Sequence, residues 1–252
     1  MNSISDRVDY KNVCIDSVKD ESKFDIFKRN PSYNGILEHV SKEQGELYLR
    51  YLDSNFTDYK EYLEIFKGND LYGGSVLSEY DNVGEISPST LRYIKVLSDI
   101  KNLFGDLNGK KIIEIGAGYG GQCFITSKYF KLKEYGLIDL DEVLSLSEKY
   151  LNKLDIEHRI INIDSVSSLD EEFDLVISNY AYSELNKELQ DLYYDKIISR
   201  SKNGYLTLNF ISHLYGINSY SKEELLNKMV DKNPKIMEEY PNTYEKNIII
   251  HF

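Results

Sequence analysis

The sequence predicts an α/β protein: a doubly wound, mostly parallel sheet preceded by a helical cap. Three observations carry this. The apolar run Lys111 to Ile115 opens at once onto Gly116, Gly118, Gly120 and Gly121, as a buried strand turning tightly into a helix does. From there to the C-terminus short apolar runs alternate with amphipathic segments of helix length, the pattern of βαβ units. The first 86 residues read as helical without strand signals. They are assigned to the cap, and residues 87–252 to the sheet domain.

Taken in order, Met1 to about Tyr33 is polar and mixed in charge, with a short helix expected near Ser22 to Lys28. Asn30-Pro31-Ser32 signals a turn into Asn34 to Leu52, where apolar residues recur at helical spacing. Phe56 to Phe66 reads as a second amphipathic helix, and Asp70 to Val83 as loop. Ser87-Pro88-Ser89-Thr90 is a helix start, a capping hydroxyl ahead of Leu91 to Phe104. Arg92 and Tyr93 fall in its first turns, positions that face either a ligand at the glycine turn or solvent.

Beyond the glycines, Gln122 to Phe130 is a helix and Glu134 to Leu140 the second strand of the unit. Glu142 to Leu154 is a helix, and Ile160 to Ile163 a third strand ending in Asp164-Ser165. Phe173 to Asn179 is the fourth strand, followed by Tyr180 to Leu185 and a helix through Ile198. Gly204 to Phe210 is the fifth strand and Lys222 to Met229 a helix. Lys235 to Tyr240 and Asn247 to Phe252 form a closing hairpin through Pro241 and Asn242.

The glycine turn defines a ligand. A helix that starts there presents unpaired N–H groups and the positive end of its dipole, which suits oxygen acceptors or negative charge. A dinucleotide site wants GxGxxG with a pyrophosphate on the helix end. The order here is Glu114, Gly116, Gly118, Gly120, and the Glu114 carboxylate would repel a phosphate at close range. That disfavours a nicotinamide-dependent oxidoreductase and favours a cationic ligand with an amino-acid end. The arrangement resembles the first motif of class I S-adenosylmethionine-dependent methyltransferases. Asp139 lies about twenty residues on, at a strand tip that neighbours the turn, where a carboxylate can accept both ribose hydroxyls of a nucleoside. Asp141 is the alternative ribose ligand. Asp164 or Ser165, at the third strand tip, can take the exocyclic amine of adenine.

Composition narrows the classes further. The 30 Lys and Arg against 42 Asp and Glu give a formal charge of −12, which argues against a nucleic-acid substrate. No apolar run approaches membrane-spanning length, and MNSISDRVDYKNV lacks the apolar core of a signal peptide, so a cytoplasmic protein is expected. Cys14 and Cys123 have no metal-ligand spacing around them. The 22 tyrosines, with no tryptophan, fill amphipathic core and rim positions and can offer ring faces to a sugar.

A closer resemblance comes from FKRNPSYNGILEHVSKEQGELYL, ISPSTLRYIKVL, KKIIEIGAGYGGQC, YGLIDLDEV, ISNYAYSEL and EEYPNTYEKNIII taken together. From about Phe27 onward the chain resembles the bacterial sugar O-methyltransferase family. The resemblance implies a seven-stranded sheet with an antiparallel last strand, S-adenosylmethionine as donor, S-adenosylhomocysteine as product, and a hydroxyl of a sugar or glycan as acceptor. Glu114, Gly116, Gly118 and Gly120 match the donor turn, with Ala117 and Tyr119 between them. Asp139, with Leu140 beside it, matches the ribose ligand, and Asp164 with Ser165 the adenine side. Asn179 and Tyr93 complete the expected donor contacts. The DLP motif of small-molecule O-methyltransferases reads Asp139-Leu140-Asp141 here, without its proline.

A sugar hydroxyl needs a base within hydrogen-bond reach. Glu184 is the first candidate, the ionisable acceptor in the run after the fourth strand, although a Glu in the first turn of a helix is favoured by the dipole in any case. His39 and His213 are the alternatives. A metal-assisted mechanism wants two or three convergent carboxylates, and only Glu184 follows the fourth strand, so no metal ligands are assigned. An S-adenosylmethionine-binding regulatory protein, or a methyltransferase acting on another small molecule, are the rival functions.

Overall fold

The computed structural model describes residues 2–252. In chain order its helices are α1 (Val8–Lys19), α2 (Glu21–Phe24), α3 (Pro31–Tyr33), α4 (Lys42–Asn55), α5 (Tyr59–Phe66) and α6 (Pro88–Phe104). These are followed by α7 (Gly121–Tyr129), α8 (Asp141–Lys153), α9 (Ile163–Val166), α10 (Lys187–Tyr193) and α11 (Lys222–Lys228). The strands are β1 (Ser78–Tyr80), β2 (Gly84–Ile86), β3 (Lys111–Ile115), β4 (Glu134–Asp139) and β5 (Arg159–Asn162), then β6 (Phe173–Asn179), β7 (Ser201–Leu208), β8 (Lys235–Glu238) and β9 (Ile248–His251).

The main sheet has seven strands in the order β5-β4-β3-β6-β7-β9-β8. The five from β5 to β7 run parallel and β9 runs against both of its neighbours. The order reverses between β3 and β6, the switch point at which an open α/β sheet leaves a crevice beyond its strand ends. Buried side chains of the strands alternate between two cores. Ile112, Leu137, Leu175 and Tyr205 face the one shared with α4 to α8, and Ile113, Ile138, Val176 and Leu206 the one shared with α10 and α11.

Several helices start where local chemistry requires. Ser87 accepts from Ser89 N–H at 3.2 Å with Pro88 in the first helical position, and α6 ends at Gly105. Ser41 and Gln44 form a reciprocal capping box at α4.

The region before residue 87 departs from the expected pattern. The run Met1 to Tyr33 contains a twelve-residue helix, α1, that was not expected. Its buried positions, Tyr10, Cys14 and Ser17, are helically spaced but include no aliphatic residue. Asn34 to Leu52 is broken into a wide turn, Asn34–Glu38, and α4. The expected loop Asp70 to Val83 holds β1, which pairs with β2 in a small hairpin. These helices share one core with the sheet: Tyr48, Leu52 and Phe66 pack in the same cluster as Leu97, Ile112 and Tyr205. Asp99 pins that core, accepting from Tyr51 hydroxyl at 2.7 Å, Lys95 Nζ at 2.6 Å and Tyr205 hydroxyl at 2.6 Å.

Candidate functional site

A cavity of about 810 Å³ lies beyond the carboxyl ends of β3, β4 and β6. Its walls are the glycine turn, the segment Asn2 to Lys11, the Asn34–Glu38 turn, the start of α6 and the connection after β6. Two of these walls meet directly, because Ser3 bridges to Leu185 and Asn186 N–H donates to Asn2 C=O at 2.8 Å.

The glycine turn is held by its neighbour strand. Gly116 N–H donates to Ile138 C=O at 2.8 Å and Gly118 N–H to the Asp139 carboxylate at 2.9 Å. Gly116 has φ +78°, and a Cβ there would lie 2.0 Å from that of Ala181, so the chain needs glycine on both counts. Gly120 serves a different end: a Cβ on it would sit 2.8 Å from Leu151, so it lets α8 pack close and does not line the cavity.

Besides Asp6, which is paired with Lys11, three carboxylates face the cavity. Glu114, 2% exposed, accepts from Tyr135 hydroxyl at 2.9 Å, yet burial pushes it up to about 8. Asp139 accepts from Gly118 and Leu140 N–H, which favour its charge, but burial still raises it to about 6. Glu184, at the end of the turn Ala181–Glu184, accepts from Asn209 Nδ2 at 2.5 Å and is raised by burial to about 7. None of the three has an ion-pair partner among the described residues. Asn179, at the β6 tip, lines the cavity with both side-chain amide atoms buried and unpartnered.

Of the other expected site residues, Gly116, Ala117, Gly118, Leu140, Tyr93 and His39 line the same cavity. His39 is exposed as a whole, but desolvation on its cavity-facing side and the nearby Arg92 push it down from its ordinary range. Like Gly120, four further expected residues do not line the cavity. Tyr119 is buried behind the turn, where its hydroxyl accepts from Asn69 Nδ2 at 3.0 Å, because the chain reverses between Gly118 and Gly120. Asp164 and Ser165 are exposed and off the cavity wall: α9 starts at Ile163, which turns inward in their place. His213 is exposed outside the cavity, its Nδ1 3.1 Å from Phe210 C=O.

Sequence reasoning also missed residues. Tyr10 reaches the cavity from α1. Tyr180, with φ +69°, stands at the β6 tip and donates to the buried carboxylate of Glu239, which Thr243 and Asn247 also bind. No local signal pointed to this pair, since Glu239 lies 59 residues further on. Among the described residues no three His, Cys, Asp or Glu side chains group to hold a metal ion, and no helix is long and apolar enough to cross a membrane.

No family model matches the chain, and no curated protein matches it. Solved structures do. A protein from Galdieria sulphuraria, provisionally described as a sarcosine dimethylglycine methyltransferase, is 14% identical, with 72% of this chain and 76% of that one covered and a TM-score of 0.50. An S-adenosylmethionine-dependent methyltransferase from Clostridium acetobutylicum gives 13% identity, 64% and 88% coverage and a TM-score of 0.48. An rRNA methylase from Streptococcus thermophilus gives 14%, 64% and 95%, and 0.46. With the strand order above, the first of these similarities identifies the fold as the Rossmann-like class I methyltransferase fold.

Proposed function

We propose that the cavity binds S-adenosylmethionine and that the protein transfers its methyl group to a sugar hydroxyl. The observation that carries the donor is the set of three carboxylates facing one cavity with no ion-pair partner, Glu114 buried and Asp139 and Glu184 half-buried. Unpaired buried carboxylates are costly, and a ligand bearing a sulfonium, an ammonium and ribose hydroxyls supplies what they lack. The unpartnered Asn179 amide fits the same ligand, next to Glu114 at its amino-acid end. Asp139 would take the ribose hydroxyls, and Gly116 and Gly118 the close approach of the donor to the backbone.

The sugar acceptor rests on the resemblance of the chain from about Phe27 onward. It suits a cavity lined by the exposed rings of Tyr215 and Tyr244. The region before residue 87 contributes His39, Gln44 and Tyr48 to that lining, in keeping with an acceptor-side role.

S-adenosylmethionine supplies an electrophilic methyl carbon on a sulfonium. The chain's part is to hold the acceptor oxygen in line with that carbon, to exclude water, and to receive the hydroxyl proton as the C–O bond forms, the C–S bond breaks and the thioether S-adenosylhomocysteine leaves. Glu184 is the proposed base for the last task. Raised to about 7, it is ionised enough to accept a proton near neutral pH and basic enough to keep it.

The test is calorimetric titration with S-adenosylmethionine, S-adenosylhomocysteine and NAD, followed by assay of S-adenosylhomocysteine formation over a panel of monosaccharides, nucleotide sugars and glycans, with and without excess chelator. Micromolar binding of the two sulfur ligands and turnover of one sugar class is expected. Binding of NAD alone, or of none of the three, overturns the reading.

A further inference from the structure

We infer that Arg92 is an anion seat in this cavity, taking a carboxylate or phosphate carried by a bound ligand; the inference rests on the cavity being the donor and acceptor site. Three guanidinium or ammonium groups line the cavity. Arg7 is paired with Asp9 at 2.9 Å and Lys11 with Asp6 at 2.8 Å. Arg92 has no ion-pair partner among the described residues. It spends one N–H on Leu37 C=O at 2.9 Å and lays its guanidinium 5.3 Å from the Tyr93 ring centroid. The rest of its five donors have no protein acceptor, in a partly buried setting where an unpaired charge is costly.

Its position says where the anion would sit. Arg92, Asn179 and Tyr180 line both the main cavity and a hollow of about 20 Å³ beneath it, floored by Tyr205, Thr207 and Ile249. Arg92 thus stands beside the tip of β6, where donor and acceptor meet. Of the nearby acids, Glu239 accepts from Tyr180, while Glu38, buried with one unpartnered oxygen, lies near enough to favour the charge of Arg92 but forms no ion pair with it. A guanidinium fork with free N–H groups suits a planar carboxylate or a phosphate. Two ligands can bring one: the α-carboxylate at the amino-acid end of the donor, or an acidic group on the acceptor such as a uronate or a sugar phosphate.

The experiment titrates the full chain and its Arg92→Gln and Arg92→Lys variants with S-adenosylhomocysteine and with 5′-methylthioadenosine, which lacks the amino-acid end. Glucuronate and pyrophosphate are then titrated, with glucose as neutral control, into the free protein and the S-adenosylhomocysteine complex. If the donor supplies the anion, Arg92→Gln weakens S-adenosylhomocysteine about 10- to 100-fold and leaves 5′-methylthioadenosine unchanged. If the acceptor supplies it, both nucleosides bind as before and the glucuronate or pyrophosphate signal is lost. Either outcome supports the seat. Unchanged binding in every arm overturns it, as does wild-type protein that binds no anionic ligand. Failure of both nucleosides to bind wild-type protein sinks the donor reading separately, and the two anions titrated into free protein still decide the seat. Arg92→Lys keeps the charge and the stem, and should bind between the other two if Arg92→Gln fails to fold.

Discussion

Asp139 is fastened to the turn it faces: one carboxylate oxygen accepts the Gly118 N–H at 2.9 Å and the other the Leu140 N–H at 2.8 Å. The glycine turn and the tip of β4 are therefore one rigid unit, and each oxygen keeps a lone pair for a ligand hydroxyl. Asp139→Ala should weaken S-adenosylmethionine about 10- to 100-fold in calorimetry, from lost hydrogen bonds to a charged acceptor. It should also lower the melting temperature, because two backbone N–H groups lose their acceptor. Unchanged donor affinity would remove Asp139 from the ribose site.

The parts of this unit were legible in the sequence for a physical reason. Strands buried on both faces read as apolar runs, and a turn that admits no Cβ at Gly116 must announce itself as glycine. The walls of the cavity were less legible. Helix α1 fully buries a tyrosine, a cysteine and a serine, while Val13 and Val18 are only half-buried, so its apolar stripe is weak. Tyr119 and Gly120 belong to the motif by position, but the turn sends them to the core, and no spacing rule distinguishes the residues on its two sides. Glu239, just beyond β8, reaches Tyr180 from 59 residues away, a contact no local pattern announces.

Burial raises Asp139 to about 6, Glu184 to about 7 and Glu114 to about 8, whereas in an unfolded chain such carboxyls titrate near ~4. The native state then holds more protons than the unfolded one between those values. The stability these groups provide is complete below about pH 4 and is lost as pH rises through 6 to 8. Ion-paired acids such as Glu171 and Asp174 act oppositely at the acid end, so the ligand-free protein should melt highest near pH ~5–6 and lower by pH ~8.5. Glu114→Gln should flatten the upper part of this decline. The same slope in variant and wild type would show that Glu114 does not titrate there.

Two glycines with similar backbone angles separate strain from collision. Gly109 has φ +72° with open space around its Cβ position, and Gly116 has φ +78° with the Ala181 Cβ only 2.0 Å away. Gly109→Ala should cost about 1–2 kcal/mol in denaturant unfolding, the price of a left-handed alanine. Gly116→Ala should cost clearly more and abolish donor binding, since Ala181 and the β6 tip must move. Equal losses in the two variants would mean that the turn relaxes freely.

Asp99 tests how firmly the helices before residue 87 are joined to the sheet. It neutralises Lys95, which is 4% exposed, and takes hydroxyl bonds from Tyr51 on α4 and Tyr205 on β7. Asp99→Ala leaves a buried ammonium unpaired, at a cost of about 3–5 kcal/mol. Because all three elements share the contact, unfolding should remain a single transition at a lower midpoint. Two separated transitions would show that the early helices and the sheet unfold independently.

Glu184 is the residue on which turnover should depend most sharply with pH. To take the acceptor proton it must be ionised, so with a sugar that is methylated the rate should rise as pH passes about 7. Glu184→Gln should lower kcat by about 10²- to 10⁴-fold and erase that limb. His39, already favoured in its neutral form by desolvation and by Arg92, would place the limb lower, and His39→Ala should leave the limb at 7 in place if Glu184 is the base. Near-normal turnover in Glu184→Gln would transfer the role to another group, and a limb that vanishes only in His39→Ala would name it.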